Sequence, residues 1–220
     1  MDLRGNFAVK SRRNNIVATA PPFGESLSKG EKTKLRIIEA STKLIALKGL
    51  HNLTYEEIAR SSKTTRQLVQ TYYPDKDRLF EECIKLGRFQ FQKFVIDSVE
   101  VAIKPRDKLK AYIDSTFQWI NDHREKVADM IFFHHFCVLD VKKKTLNSQH
   151  ADLGSRRIEA LLMGFLPESI AAAKIKNLAK SIQNVLVGNL HCLVTEQQDF
   201  LYIKNLAKNS IEALINEVTK

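Results

Sequence analysis

The chain is poor in the residues that interrupt helices or cross-link small domains, with five prolines, eight glycines and three cysteines among 220 residues. The long stretches between these breakers show almost no alternation of apolar and polar side chains, which excludes a β-rich fold and predicts an all-α protein. Cys83, Cys137 and Cys192 are widely spaced and form no paired framework, so they read as buried free thiols of a protein kept in a reducing cytoplasm. No apolar run approaches the roughly 18 residues of a membrane span, and the N-terminus lacks the apolar core of a signal peptide. A membrane is therefore not an expected partner.

Common catalytic motifs are missing as well: there is no HExxH, no pair of CxxC motifs, no phosphate-cradling glycine loop and no GxSxG. The segment HHFC invites a metal or nucleophile reading. Adjacent His134 and His135 would point about 100° apart on a helix, however, and His134 with Cys137 supplies only two ligands, with His123 and His150 elsewhere. The chain is expected to be no enzyme and to need neither a metal nor a cofactor.

What the chain does have is an apolar fraction of 44%, enough for a real core, and a formal net charge of +10 that favours an anionic partner. The charge is uneven. Residues 1–29 hold five basic and two acidic residues, and residues 30–79 hold ten and six, while the far longer remainder carries only +3. Residues 1–29 mix polar residues with Pro21, Pro22 and Gly24 and show no period, so they read as a flexible basic tail. Its Lys10, Arg12 and Arg13 fit either an arm laid along DNA or a solvated segment.

The densest local signals fall between Leu53 and Lys76. Thr54 and Glu57 stand at the spacing of a capping box, and Leu53 with Ile58 at that of a hydrophobic staple, which predicts a helix start at Thr54. A turn is expected at Ser62, Lys63 and Thr64, after which Thr65 can cap a second short helix and Asp75 a third. On the second, Val69 and Tyr73 are spaced to pack inward while Arg66, Gln67, Gln70 and Thr71 fall on the opposite side. A plain surface hairpin of helices would share the caps and the apolar inner face. The outer face separates the two readings, because Arg, Gln and Thr can bond base edges and phosphates, whereas a solvated helix is typically dressed in Glu and Lys pairs.

From Leu35 to Leu79 the chain resembles the DNA-binding domain of TetR-type transcriptional regulators. RIIEASTKLIALKG is similar to that family's first helix with its terminal Gly49, IAR to its helix-two core, and TYYPDKDRL to the run that leads into helix four. The resemblance implies a three-helix helix-turn-helix domain at 30–80 and a helical ligand-binding and dimerisation domain at 81–220. By position it makes Thr65, Arg66, Gln67, Gln70 and Thr71 groove contacts and Thr54, Tyr72 and Lys76 phosphate contacts. Two departures stand out. Lys63 occupies a turn position where the family commonly has Gly, which costs on the order of 1 kcal/mol if the backbone there is left-handed. Gln67, Leu68 and Gln70 stand where Gly, Thr and Tyr are frequent, so base preference does not transfer.

Beyond the reading helix, one long helix is expected from Asp75 to about Ile103, with Pro105 and Pro167 in the first turns of later helices and Asp140 to Asp152 as a polar interruption. Two final helices are expected at 167–196 and 199–218. Their stripes, Ile175, Leu178, Ile182, Val185, Leu186, Leu190 and Leu193 on one and Phe200, Ile203, Leu206, Ile211, Leu214 and Val218 on the other, serve partly as core. The resemblance implies that they also pair two copies into a homodimer, the symmetry that a near-palindromic operator needs.

Aromatic residues are dense from 85 to 162. They form either a packed core or a pocket for a small apolar or aromatic effector, with Trp119, Phe133, His134 and Phe136 as candidate ligand-binding residues and Gln118 and His135 as further polar handles. The expected function is a ligand-responsive, homodimeric repressor of transcription bound to double-stranded DNA. The alternative is a helical binding module of the same fold that acts through a small ligand or a protein partner without specific DNA recognition.

Overall fold

The computed structural model describes residues 26–50, 52–128, 130–131, 144–195 and 198–220, with 144–152 described by their backbone alone. Within these residues the regular structure is helical. We number the helices α1 (Lys29–Lys48), α2 (Tyr55–Ser62), α3 (Arg66–Tyr72), α4 (Lys76–Val101), α5 (Pro105–Asp122), α6 (Lys144–Met163), α7 (Ala172–Thr195) and α8 (Phe200–Thr219). Residues 124–128 and 130–131 are also helical. The chain divides into two compact units, whose described parts are 26–90 with 125–131, and 91–124 with 144–220.

In the first unit the helices open on side-chain caps. Ser28 and Glu31 form a capping box at α1, and Thr54 and Glu57 form one at α2. Asp75 accepts from the Asp77 backbone N–H at 2.9 Å and so opens α4. Ile37, Ile38 and Ile45 of α1, Leu53, Ile58, Val69 and the α4 residues Leu79 and Phe80 are buried. Leu53 and Ile58, at the spacing of a hydrophobic staple, are both fully buried.

The second unit is built from the end of α4 and from α5 to α8. Val95 and Val99 on α4, Ile113, Phe117 and Ile120 on α5, and Ile158 and Leu162 on α6 are buried. Asp114 on α5 lies 2.7 Å from Lys204 and 3.2 Å from Lys208, both on α8. Burial pushes its carboxyl up, but the two ammonium groups outweigh that and leave the pKa lowered. Arg106 bonds Glu212 at 2.7 Å, so α5 is tied to α8 at a second point.

Several expected boundaries shift. Pro105 does open α5, but Pro167 lies outside any helix, in a turn where its carbonyl accepts from the Ile170 N–H at 3.1 Å. The last two helices therefore run Ala172–Thr195 and Phe200–Thr219. The polar stretch expected to interrupt the helices is helical from residue 144 onward, because polar residues without Gly or Pro do not break a helix. The expected flexible tail lies outside the described residues up to residue 25, and its last two positions, Ser28 and Lys29, belong to the cap and first turn of α1. Cys83 is buried, its thiol donating to the Ile38 carbonyl at 3.6 Å, Cys192 is half-buried rather than buried, and Cys137 lies outside the described residues. Among the described residues, no helix is long and apolar enough to cross a membrane.

Candidate nucleic-acid interface

The link between α2 and α3 is a tight left-handed turn. Lys63 adopts φ 54° and ψ 47°, the left-handed region, and it is the only described non-glycine residue with positive φ. Its N–H donates to the Arg60 carbonyl at 3.3 Å and the Thr64 N–H donates to the Ala59 carbonyl at 2.9 Å, the paired bonds of a Schellman closure. Ser62, expected in the turn, ends α2 instead and returns its hydroxyl proton to the Ile58 carbonyl at 2.7 Å. A glycine would adopt the Lys63 conformation without the Cβ penalty.

Thr65 caps α3 by accepting from the Leu68 N–H at 3.2 Å, which leaves its own hydroxyl proton available for an acceptor outside the protein. Val69 is fully buried and Tyr73 nearly so, and burial raises the Tyr73 pKa above the ordinary phenol value. Arg66, Gln67, Gln70 and Thr71 are exposed together on the far side of α3. Thr71 donates its hydroxyl proton to the Gln67 carbonyl at 2.8 Å, so outward it offers a methyl group and an acceptor. The two glutamine amides and the guanidinium supply the bidentate groups that distinguish adenine and guanine edges.

The three expected phosphate contacts are held differently. Thr54 is exposed, but its N–H and its hydroxyl both donate to Glu57 Oε2, at 3.1 and 2.6 Å, which leaves no donor for a phosphate while the box is closed. Lys76 is half-buried, with its ammonium 6.0 Å from the ring centre of Tyr55. That ring is fixed in turn by a hydrogen bond from its hydroxyl to the Pro74 carbonyl at 2.9 Å. Tyr72 is half-buried against α1, with the Lys34 ammonium 5.2 Å from its ring centre. Lys34 and Tyr55 went unmarked in the sequence because their partners lie far along the chain, at Tyr72 and Pro74.

Of the expected effector residues, only Trp119 and the further handle Gln118 lie among the described ones. Trp119 is buried in the second unit, stacked on the His123 ring at 4.7 Å and met edge-on by Phe91 at 5.2 Å. Gln118 is exposed and bonds Asp122. Phe133, His134, His135 and Phe136 lie outside the described residues. A cavity of about 320 Å³ is present in the first unit, lined by Lys43 of α1, Ile84, Gly87 and Gln90 of α4, and Lys126 and Met130 among others. Lys126 donates to Gln90 Oε1 at 2.9 Å, and burial lowers its pKa. Among the described residues, no group of three or more His, Cys, Asp or Glu side chains could hold a metal ion.

Residues 37–83, which span most of α1 through the start of α4, match the model of the tetR family of bacterial regulatory proteins. The N-terminal domain is thus similar to that family. Solved structures extend the likeness in fold to most of the chain. A transcriptional regulator from Rhodococcus sp. RHA1 superposes with a TM-score of 0.67 at 14% identity, covering 86% of this chain and 97% of its own. A TerR/AcrR-family regulator from Aquifex aeolicus VF5 gives 0.61 at 20% identity, covering 83% and 99%. A regulator from Saccharomonospora viridis, solved in complex with choline, gives 0.64 at 16% identity, covering 82% and 96%. No curated protein matches the chain. Most of the chain thus has the fold of TetR-type regulators, in which α2 and α3 are the helix-turn-helix.

Proposed function

We propose that the chain is a cytoplasmic, ligand-responsive DNA-binding regulator of transcription, a repressor that acts as a homodimer on a near-palindromic operator. One observation carries the reading: Arg66, Gln67, Gln70 and Thr71 share the exposed face of α3 while Val69 anchors the opposite face in the core. Such a face has little use in packing and the right chemistry for a major groove. The tetR-family head supports DNA as the partner.

Pairing of two copies is supported by the apolar surface of the last two helices. Val187 is 54% exposed, Leu201 63%, Tyr202 60% and Leu206 44%, so these helices keep apolar surface that is not used inside one protomer, although of the four only Leu206 belongs to the expected stripes. The Saccharomonospora viridis neighbour, solved with choline, supports a small-molecule effector in this fold. Such an effector acts only if it binds one arrangement of the protein more tightly than the other, with couplings of about 1 to 3 kcal/mol typical of such switches.

The test is selection of bound duplexes from a random pool, followed by affinity measurements on the selected site. Enrichment of a near-palindromic sequence is expected. On that site Gln70→Ala should lose about 1 to 3 kcal/mol of discrimination at particular bases, while Lys76→Ala weakens all sequences alike. A pool that never enriches, with uniform losses for both variants, would leave only sequence-blind binding and refute the proposal.

A further inference from the structure

Tyr72 closes α3, yet its surroundings are set by α1. An ideal Cβ built on Gly30 would lie 3.4 Å from the Tyr72 hydroxyl oxygen, so the first turn of α1 and the tip of this tyrosine are in contact. One turn further along the same face of α1, the Lys34 ammonium stands over the Tyr72 ring at 5.2 Å. The ring is therefore bounded by glycine backbone at its hydroxyl end and by a cation on its face. Lys34 is half-buried and forms neither a hydrogen bond nor an ion pair with another described residue. Its N–H donors are unspent; the ring beneath it and the charge of Glu31 one turn back both attract the ammonium. The neighbouring Lys29, Lys32 and Arg36 keep this end of α1 basic, while Glu31 is engaged with Ser28 in the cap.

We infer that Lys34 is a further DNA contact, which binds a backbone phosphate beside the bases faced by α3, and that Tyr72 is the positioning residue that aims it. The inference rests on the DNA-binding reading and extends the interface from α3 onto α1. A lysine held over an aromatic ring reaches an acceptor with less loss of side-chain freedom than a solvated one. A phosphate contact carries no base preference, so it adds affinity on every duplex and releases a counterion. Gly30 fits the same scheme, because a large side chain there would push the Tyr72 hydroxyl away.

Because the contact is sequence-blind, it can be measured before any operator is known. The probe is a fluorescein-labelled, mixed-sequence duplex of about 30 base pairs, titrated with full-length protein over a series of salt concentrations. For Lys34→Gln, the slope of log affinity against log salt should flatten by about 0.9 for each head on the duplex. The gain in affinity between 1 M and 0.1 M salt then shrinks by about eightfold per head. Lys34→Arg should keep the wild-type slope, and Lys176→Gln, at an exposed lysine on α7, should do the same. Tyr72→Leu leaves the charge in place but should reduce the effect of adding Lys34→Gln, a non-additivity that simple loss of charge does not produce. Helix content and unfolding midpoint check that each variant is folded. A wild-type slope in Lys34→Gln, or an equal flattening in Lys176→Gln, overturns this inference alone. Absence of salt-dependent duplex binding by the wild-type protein overturns the DNA reading and the Lys34 contact with it.

Discussion

Lys63 shows how a single residue can leave a fold intact and still strain it. The Schellman closure after α2 needs a left-handed residue, and the chain supplies one with a Cβ. Its exposed side chain is free to point away, so the cost is confined to the backbone. Lys63→Gly should therefore stabilise the head by about 0.5 to 1 kcal/mol, less than the full left-handed penalty because glycine also loses more freedom on folding. Urea midpoints at unchanged m-value would show it, and a lower midpoint would contradict the left-handed turn. Glu57 is the second residue whose setting has a measurable consequence. Its bonds to Lys48 and then to Thr54 lower its pKa from the usual 4.5 to about 2. A carboxylate whose folded pKa is lowered contributes stability that is complete above about pH 4.5 and is lost as pH falls from there towards 2. Glu57→Gln should flatten the decline of the unfolding midpoint across that window. An acid limb as steep as in the parent protein would show that the carboxylate does not carry it.

At the scale of elements, what could be read from sequence follows from how far apart the interacting groups lie. The Thr54 and Glu57 box, the Thr65 cap and Pro105 at the start of α5 involve residues within one turn of each other, and their spacings placed them. The outer face of α3 was legible for the same reason, since burial of Val69 follows from helical period alone. Pro167 was misplaced because proline suits a turn as well as a first helical turn, and the choice is made by Ala172 onward, where the next helix forms. The residues that surround Tyr72 had no local signal at all, since Gly30 and Lys34 reach it through packing of α1. Helix α3, only seven residues long, is too short to persist by propensity and depends on its cap and on Val69. Thr65→Ala should cost about 1 kcal/mol of stability. Thr65→Asp retains a capping oxygen, and near a helix N-terminus its charge is favourable. The aspartate variant should thus unfold at or above the parent midpoint yet bind the mixed-sequence duplex more weakly, because it sets an anion against phosphate. Parent-like duplex affinity in that variant would remove Thr65 from the interface.

For the whole molecule, the sharpest handle on assembly is Gly188, in the middle of α7. It is exposed, and a Cβ built on it meets nothing within 4 Å in the single chain. A glycine inside a helix costs about 1 kcal/mol relative to alanine. Judged from one protomer alone, Gly188→Ala should therefore be a stabilising substitution. Val187, its neighbour in sequence, and Leu206 on α8 are exposed as well, and the surface proposed to pair two copies is taken to include the open space at Gly188. If two copies pair across that surface, the added methyl meets the partner instead of solvent, and overpacking a close interface costs about 1 to 3 kcal/mol. The two cases differ in sign. Sedimentation equilibrium of Gly188→Ala should show a dimer dissociation constant raised by roughly tenfold or more, the equivalent of about 1.4 kcal/mol. Its unfolding midpoint should fall at low protein concentration, where dissociation and unfolding are coupled. Leu206→Glu, which places a charge on the same surface, should be largely monomeric and should lose affinity for a two-headed site. A Gly188→Ala protein that unfolds later than the parent, with an unchanged dissociation constant, would move the interface away from α7.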